Sequence, residues 1–475
     1  GTDGMRGRVG DFPLVPDFAL RLGLATGTVL RESCARPSVI IGRDTRHSGQ
    51  MLQNALTAGL LAGGATAIDA GVITTPGVAY LVRKLNAQTG VVISASHNPV
   101  DENGIKYFSA EGFKLSESTE SEIEQLAQDS TLLNKHLAER FGHCIDGAGT
   151  HEMYIQDLVA EHGDVNFDHL TLVMDCANGA AYRLGPECFS RLGAKVIAIN
   201  ASPSGLNINA RAGSEYVRRQ PAELGELVRR YNADFGLAFD GDADRVVFID
   251  RESNIIDGDH MLGILATYLD QRQRLVGRTI VATSMRNAGL VDFIKSANFK
   301  FIETKVGDKY VMEKLLELTR PGVDPQAVAL GGEQAGHILI YDGQHTTGDG
   351  IRTALYLIRV YIESGATTLA ELAGCVKKAP QVIASAYVAS KPDLKSIREL
   401  ATLETSLESM PGLLKKELRY SGTEPLFRVM IEADARHSEA ELADKARTIC
   451  RAVQEAAQSP NGTIEILNCS RGGQL

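Results

Sequence analysis

Apolar and polar positions along this chain repeat one layout three times: a short apolar strand, a loop of small residues, an amphipathic stretch, a glycine or asparagine break, and a second apolar strand. The three copies run from 39–41 to 66–68, from 172–174 to 196–199 and from 279–281 to 301–302. In the first copy, residues spaced for one helix face are Met51, Leu52, Ala55, Leu56 and Leu60. The pattern predicts an internal repeat of α/β units.

Apolar strands joined by helices are typical of parallel or mixed sheets, whose ligands bind in the loops at the carboxyl ends of the strands. From about Ala370 onward the pattern changes. Alternating patches at 382–384 and 427–431 accompany two helical stretches, and Pro380 and the polar run 390–392 mark the beginning of this region. The sequence therefore predicts three similar mixed-sheet α/β domains and a smaller C-terminal α+β domain.

The size and composition of the chain agree with a multidomain globular protein. Its 475 residues exceed what one core usually organises, and 44% hydrophobic with 23% charged residues is near the globular average. A net charge of -10 without a basic run disfavours nucleic-acid binding. Seven scattered cysteines predict neither a zinc site nor a disulfide framework, which fits a reducing cytoplasm.

Neither a membrane span nor a secretory signal is predicted, because the sequence has no apolar run of about 18 residues and no charged-then-apolar leader. Since the sequence opens on Gly1 rather than on methionine, this interpretation leaves room for a short preceding segment. The oligomeric state is left open, with a homodimer as one option.

A serine motif follows the apolar strand 90–93. It reads SASHNP at 94–99 and is followed by NGIK at 103–106. Taken alone, Ser96 is also compatible with a turn or a helix cap, where serine is common. The motif lacks the G-x-S-x-G elbow, so a serine hydrolase is disfavoured.

Three carboxylates alternate along one short loop between the apolar segments 236–238 and 246–249, at Asp240, Asp242 and Asp244. Crowded carboxylates repel one another, and a hard cation such as Mg²⁺ would relieve that repulsion. An EF-hand is excluded because Arg245 and Arg251 occupy the loop positions that need glycine and a bidentate acid. A solvated acidic turn is the alternative.

Two further loops join small residues to polar groups. In the segment GGEQAGH at 331–337, Glu333 could accept hydrogen bonds from sugar hydroxyls and His337 could move a proton, although a plain glycine-rich turn fits equally well. The segment RYSGTEP at 419–425, with Arg428 beyond it, offers donors for a phosphate or an ordinary turn. No Walker loop is present, which argues against an ATPase.

Together and in this order, the four segments resemble the α-D-phosphohexomutases, and the resemblance covers essentially the whole chain. The opening GTDGMRG at 1–7 is similar to the family's GTDGIRG, and the stretches 42–46 and 304–310 are also similar. The resemblance implies four domains around a central cleft: 1–149 with a phosphoserine loop, 150–250 with a metal loop, 251–368 with a sugar-binding loop, and 369–475 binding phosphate.

The resemblance also implies residue roles. Ser96 would carry a phosphoryl group and, with Asp240, Asp242 and Asp244, hold one Mg²⁺ per active site. Glu333 would contact sugar hydroxyls. The remaining substrate-binding residues would be Gly307, Asp308, Lys309, Arg419, Ser421, Gly422, Thr423 and Arg428.

The expected reaction moves a phosphoryl group between two hydroxyls of one sugar phosphate. Phosphorylated Ser96 gives its group to the free hydroxyl, and the resulting sugar bisphosphate, which also serves as activator, turns and returns its other phosphoryl group to Ser96. Arg6, Arg245 and Lys106 are candidate additional cations. His97, Lys106 and His337 are unranked candidates for general acid and base.

Departures from the family pattern leave alternatives open. Ala335 stands where serine is common, and Tyr420 replaces a frequent lysine, so one hydroxyl and one cation are missing. The motifs are most similar to the branch acting on glucosamine phosphates, whereas mannose or glucose phosphates remain the nearest alternative substrates. A catalytically silent sugar-phosphate-binding protein is a further alternative, which intact Ser96 and the three aspartates argue against.

Overall fold

The structure is a computed structural model that describes residues 4–132, 137–319, 324, 326–421 and 425–475. Within this part of the chain the strands form four sheets of six, five, four and four strands. The first three sheets contain parallel and antiparallel ladders, and the fourth is antiparallel throughout. The predicted fold class is therefore confirmed, while the domain boundaries stay a prediction.

The first sheet has the strand order β1-β5-β4-β2-β3-β6. Its strands are β1 Met5–Arg8, β2 Ser38–Arg43, β3 Thr66–Val72, β4 Thr89–Ile93, β5 Glu102–Ser109 and β6 Cys144–Asp146. The accompanying helices are Pro16–Ser33, His47–Ala62, Thr75–Lys84 and Glu117–Gln128. Strand β4 is buried over its whole length, which explains its continuous apolar run.

The second sheet has the order β11-β10-β9-β7-β8. Its strands are β7 Thr171–Asp175, β8 Lys195–Ile199, β9 Phe235–Phe239, β10 Val246–Ile249 and β11 Ile255–Ile256. The helices are Thr150–His162, Ala181–Arg191, Ser214–Arg219 and Pro221–Arg230. Strands β9 and β10 form the antiparallel hairpin that carries the three-aspartate loop.

The third sheet has the order β13-β12-β14-β15. Its strands are β12 Leu275–Thr283, β13 Lys300–Thr304, β14 Val328–Gly332 and β15 Ile338–Tyr341. The helices are Gly258–Gln271, Ala288–Ser296, Asp308–Leu318, Gly350–Ser364 and Leu369–Ala373.

The C-terminal sheet has the order β17-β18-β16-β19. Its strands are β16 Gln381–Tyr387, β17 Leu413–Tyr420, β18 Leu426–Ala433 and β19 Ile464–Asn468. A 3₁₀ turn Leu394–Ser396 and the helices Arg398–Glu408 and Glu439–Ala456 complete this unit, which has its own apolar core.

The repeat predicted from the apolar pattern is confirmed by the strand pairing. In each copy the two predicted strands are parallel neighbours, β2 with β3, β7 with β8 and β12 with β13. The predicted helix face is wrong at one residue. Leu52, Leu56 and Leu60 are buried, whereas Met51 is 41% exposed because it lies outside the four-residue spacing of those leucines.

The first three units share one core. A single cluster of buried apolar residues runs from the first sheet, with Ile40 and Val92, through Met174 in the second to Ile280 in the third. This packing brings together loops that are far apart in the sequence. None of the helices in the described ranges is both long and apolar enough to cross a membrane.

Candidate active site

Ser96 lies just beyond the carboxyl end of β4 in a left-handed backbone conformation, with φ of 53°. Its side chain is buried, and its Oγ donates a hydrogen bond of 2.5 Å to Asp240 Oδ2 across 144 residues of sequence. Such a conformation is unfavourable for a residue other than glycine and persists only where its surroundings hold it. The serine and aspartate loops predicted from the sequence therefore meet at one point.

A buried arginine holds the backbone of the serine loop. Arg46 donates to the carbonyl oxygens of Ser96 at 2.9 Å and Asn98 at 2.8 Å, and to further carbonyl oxygens at 99 and 102. Its Nε pairs with Asp44 at 2.9 Å, and both side chains are fully buried. Asp44 also accepts from Ser94 Oγ, which in turn accepts from the Ser96 amide. Arg46 and Asp44 thus fix where Ser96 sits.

The loop from the second unit packs directly on the serine loop. A Cβ added at Gly241 would lie 2.3 Å from the Ser96 carbonyl oxygen, so only glycine allows this approach. Asn209 also reaches across, donating to the carbonyl oxygens of Ser96 at 2.9 Å and Asn98 at 3.1 Å. The two units are locked together around the Ser96 hydroxyl.

The three aspartates form a buried cluster in which one oxygen from each lies within 4.8 Å of the others. Asp242 Oδ2 accepts from Thr75 Oγ1 at 2.6 Å and from Lys106 Nζ at 2.8 Å. Asp242 Oδ1 and Asp244 Oδ1 are buried without a hydrogen-bond partner among the described residues. Unpartnered buried carboxylate oxygens pointing to one place fit the ligand set of a hard cation.

The electrostatics of the cluster agree with a cation site. Burial, together with the charges of Asp244 and Asp242, raises the pKa of Asp240 well above its usual value. Burial also opposes ionisation of Asp242, but Lys106 outweighs it and holds the pKa of Asp242 below its usual value. A bound cation would replace the missing positive charge at this cluster. These residues could therefore hold a metal ion.

Two arginines and a histidine surround the cluster. Arg245 lies 3.8 Å from Asp244 Oδ1 and 3.6 Å from Glu215 Oε1, and Arg6 lies on β1 opposite Gly104. His97 Nδ1 is 3.3 Å from Ser96 Oγ. Burial and the nearby Arg245 lower the pKa of His97 to about 3, so its ring is neutral at pH 7. A pKa this low makes His97 a weak proton acceptor, so its part in proton transfer stays a prediction.

The glycine-rich loop of the third unit lies at the end of β14. Glu333 Oε1 accepts from the Gly307 amide at 3.0 Å, so the two predicted substrate-binding segments touch. Asp308 pairs with Lys114 at 2.6 Å, and Lys309 pairs with Glu117 at 2.7 Å. These pairs connect the third unit with the first.

His337 is placed differently from the other proton-transfer candidates. It is buried, and its Nε2 lies 3.8 Å from Asp308 Oδ2, on the side of the loop that carries Glu333. Its ring packs on the backbone at Gly348, where an added Cβ would be 2.0 Å from Nε2. The hydrogen bonds between described residues include none from His337 to Ser96, whereas His97 and Lys106 contact the centre directly. The role of His337 in proton transfer stays a prediction.

Two arginines face each other in the C-terminal sheet. Arg419 on β17 is directly opposite Arg428 on β18, where like charges repel, and Arg419 Nε lies 3.4 Å from Glu417 Oε1. Burial and Arg428 lower the pKa of Arg419. Ser421 follows, with its amide bonded to Leu426 O at 2.8 Å. The predicted ligands Gly422 and Thr423 lie outside the described residues.

Tyr420, which stands where a lysine is frequent, and Lys391 both join the end of β17 to the loop that precedes it. Tyr420 turns its hydroxyl to the Pro392 carbonyl oxygen at 2.9 Å, and Lys391 Nζ donates to the Ser421 carbonyl oxygen at 2.6 Å. A cation from the preceding loop therefore contacts the backbone two residues after Arg419.

Sequence reasoning assigned no role to Asp44, Arg46, Thr75, Asn209 or Glu215, although all of them contact the serine or aspartate loop or its cations. The segment 42–46 was singled out only by family resemblance. Its position directly after strand β2 was a usable signal, since chemistry is expected at strand ends. Asn209 and Glu215 carried no comparable signal.

Family models of known proteins match the chain in four consecutive parts. They are described as phosphoglucomutase/phosphomannomutase α/β/α domain I, matching residues 1–134, domain II, matching 152–254, domain III, matching 257–379, and the C-terminal domain, matching 357–449. The matched parts include all four loops described above.

Individual relatives that match most of the chain are also phosphohexose mutases. Phosphoglucosamine mutase of Geobacillus kaustophilus is 43% identical over 435 residues, covering 91% of this chain and 94% of the relative. Phosphoglucosamine mutase of Syntrophotalea carbinolica is 38% identical over 460 residues, with 96% of each covered.

Solved structures share the fold at lower sequence identity. A phosphoglucomutase/phosphomannomutase family protein of Burkholderia thailandensis superposes with a TM-score of 0.73 at 23% identity, covering 98% of both chains. N-acetylphosphoglucosamine mutase of Aspergillus fumigatus, solved in complex with GlcNAc-6P and magnesium, gives a TM-score of 0.59 at 19% identity, covering 81% of this chain and 92% of its own.

Proposed function

The chain belongs to the phosphoglucomutase/phosphomannomutase family, the α-D-phosphohexomutases, and from this premise we propose that it interconverts glucosamine 6-phosphate and glucosamine 1-phosphate. It would act as an intramolecular phosphotransferase of the isomerase class. The choice of glucosamine phosphate is supported by relatives that are named phosphoglucosamine mutase and are 38–43% identical over more than nine-tenths of the chain.

One observation carries the proposal: the Ser96 hydroxyl is 2.5 Å from Asp240 in a buried cluster of three aspartates. A phosphoryl group on Ser96 would add negative charge at that point, so the site needs a compensating cation. Mg²⁺ suits this all-oxygen donor set, with Asp240, Asp242, Asp244 and the phosphorylated serine as ligands. When bound, Mg²⁺ would neutralise charge on the transferring phosphoryl group.

Phosphoryl transfer needs a donor and an acceptor in line, with positive charge around the equatorial oxygens. In the first step, a sugar hydroxyl oxygen forms a bond to phosphorus and loses its proton, while the bond from Ser96 Oγ to phosphorus breaks and Ser96 Oγ gains a proton. Arg6, Arg245 and Lys106 supply positive charge near that point. His97, Lys106 and His337 stay the candidates for general acid and base, and His97 Nδ1 is 3.3 Å from Ser96 Oγ.

In the second step the sugar bisphosphate turns round and returns its other phosphoryl group to Ser96. The bond to the second sugar oxygen breaks as the bond to Ser96 Oγ forms again, so no phosphate is consumed. The bisphosphate also restores any enzyme molecule that has lost its phosphate.

The sugar and its remote phosphate are assigned to the other two loops. Glu333, held by the Gly307 amide, would accept hydrogen bonds from sugar hydroxyls, with Asp308 and Lys309 at the side of the same loop. Arg419 and Arg428, whose mutual repulsion an anion would relieve, would bind the phosphate that is not reacting. Ser421, Gly422 and Thr423 complete this phosphate site in the proposal.

A substrate comparison tests the proposal. We expect kcat/KM for glucosamine 6-phosphate to exceed that for mannose 6-phosphate and glucose 6-phosphate by at least about tenfold, measured with Mg²⁺ and a catalytic amount of bisphosphate. The Ser96→Ala variant, prepared in the same way, controls for contaminating mutases. Equal turnover of all three sugars would remove the glucosamine assignment, and no turnover of any would reject mutase activity.

A further inference from the structure

The sugar loop is attached to the C-terminal unit by a pair of buried glutamines. Gln334, next to Glu333, is 3% exposed, and its Nε2 donates to Gln381 Oε1 at 2.7 Å. Gln381 is the first residue of β16 and has no exposed surface. One hydrogen bond thus joins the loop assigned to the sugar with the sheet assigned to the remote phosphate.

The sugar-loop end of this bond is fixed to the third unit. Gln334 Nε2 also donates to Asp259 Oδ2 at 3.0 Å, and the Gln334 carbonyl oxygen accepts from the Gly258 amide at 3.1 Å. A Cβ at Gly258 would lie 1.9 Å from the Glu333 carbonyl oxygen, so the loop rests directly on the start of the helix Gly258–Gln271. The side chain of Gln334 therefore has little freedom to turn.

The other end is fixed within the C-terminal unit. The backbone amide of Gln381 donates to Ser470 Oγ at 3.0 Å, and the backbone carbonyl oxygen of Gln381 accepts from the backbone amide of Cys469 at 2.9 Å. On the neighbouring strand Gln381 is paired with Glu432, four residues along β18 from Arg428. Movement of Gln381 must therefore move the strand that carries Arg428.

A buried ion pair runs beside the glutamines. Lys378, 3% exposed at its side chain, lies 3.1 Å from Asp259 Oδ2 and pairs with Asp257. Asp259 Oδ2 thus serves both Gln334 and Lys378. Lys378 therefore reaches Gln334 only through Asp259, whereas Gln381 bonds to Gln334 directly.

We propose that Gln381 is a positioning residue that sets the distance between the sugar-binding loop and the phosphate-binding strands through its hydrogen bond to Gln334. This inference rests on the proposed function. A sugar phosphate would contact both the sugar-binding loop and the phosphate-binding strands. It binds best when the distance between them is fixed in advance, because the protein then loses less conformational entropy on binding. Inorganic phosphate would contact only the strands that carry Arg419 and Arg428, so its affinity should not depend on that distance.

The test replaces Gln381 with methionine, which keeps the length of the side chain and removes its hydrogen-bonding groups. We expect KM for glucosamine 6-phosphate to rise about fivefold, the equivalent of one neutral buried hydrogen bond, with kcat changed less than about twofold. Inhibition by inorganic phosphate should keep its wild-type Ki. A Gln381→Asn variant, whose side chain is one methylene shorter, should also raise KM. It replaces Q381M in the test if Q381M folds poorly.

Gln454 provides the matched control. It is another buried glutamine of the same unit, and its Nε2 donates to the Tyr387 carbonyl oxygen at 2.9 Å, at the far end of β16. The Gln454→Met variant should lower the melting temperature by a similar amount and leave KM unchanged. A general loss of stability would affect both variants alike.

The hydrogen bond itself is tested by combining Q381M with Gln334→Met. If the two residues act through their shared bond, the double variant should show a KM no higher than that of the worse single variant. Fully additive effects, an unchanged KM in Q381M, or a phosphate Ki that rises in parallel with KM would each overturn the inference. Those results leave the proposed function standing, whereas a wild-type enzyme without mutase activity rejects the proposed function itself.

Discussion

Replacing Arg46 with methionine should both destabilise the first unit and slow the enzyme. The guanidinium group of Arg46 is buried, pairs with Asp44 at 2.9 Å, and donates to the carbonyl oxygens of Ser96 and Asn98. Methionine fills similar volume but donates no hydrogen bond. The substitution therefore leaves a buried carboxylate without its partner and frees the serine loop.

The expected loss of stability follows from these contacts. Breaking a buried ion pair by removing one partner costs about 3–5 kcal/mol. Because the first three units, about 370 residues together, share one core, their unfolding entropy is about 0.8 kcal/mol per degree, so a fall in melting temperature of about 4–6 °C is expected in their common transition. Displacement of Ser96 by even about 1 Å should lower kcat about a hundredfold.

Differential scanning calorimetry and mutase kinetics at 25 °C measure the two effects. Arg43→Met is the matched control, since Arg43 lies on β2 only three residues earlier and bonds to the side chains of exposed Gln50 and buried Gln53 rather than to the serine loop. Its kcat should stay close to wild type, and its melting temperature should fall by less than that of Arg46→Met, because it breaks a neutral-acceptor hydrogen bond rather than a buried ion pair. If Arg46→Met melts and turns over like Arg43→Met, Arg46 does not hold the serine loop and the reasoning fails.

Three further predictions concern the metal, pH and phosphate binding. Asp244→Asn should raise the Mg²⁺ concentration for half-maximal activity about tenfold or more. Asp250→Asn, which changes a buried turn aspartate outside the cluster, should leave that concentration unchanged. Equal Mg²⁺ titrations of the two variants would show that the cluster has a structural role and does not bind the metal. Burial raises the pKa of Glu432 to about 7, so the folded state binds the extra proton, and this residue should reduce stability as pH rises from about 4.5 to 7. Glu432→Gln should therefore melt several degrees above wild type at pH 8 and level with it at pH 5, and an equal difference at both pH values would contradict the assignment. Lys391→Met should raise KM for the sugar phosphate about threefold at low salt and less at high salt, and a salt-independent KM would exclude a charge role for Lys391.

The repeat and the main loops could be predicted because they depend on local pattern. Each strand pair such as β7 with β8 shows its apolar run directly, and the loops at 96 and 240–244 follow strand ends, where the topology of parallel sheets brings ligands together. The resemblance to the family supplied the roles that the pattern alone left open.

The contacts that fix the site could not be predicted because they join distant parts of the chain. Arg46 looks like an ordinary polar residue before a helix, yet it is buried against carbonyl oxygens about 50 residues away. Asn209 reaches the serine loop across 113 residues, and Gln334 meets Gln381 only because two units pack together. Periodicity describes one element at a time and carries no information about which elements meet.

The location of the enzyme's phosphate tests the central claim most directly. Intact-mass and peptide mass spectrometry of active enzyme should find one phosphate on Ser96, and mixing that phosphoenzyme with glucosamine 6-phosphate should transfer the group to the sugar as bisphosphate. An active enzyme whose Ser96 stays unmodified throughout turnover, or a Ser96→Ala variant with wild-type turnover, would contradict it.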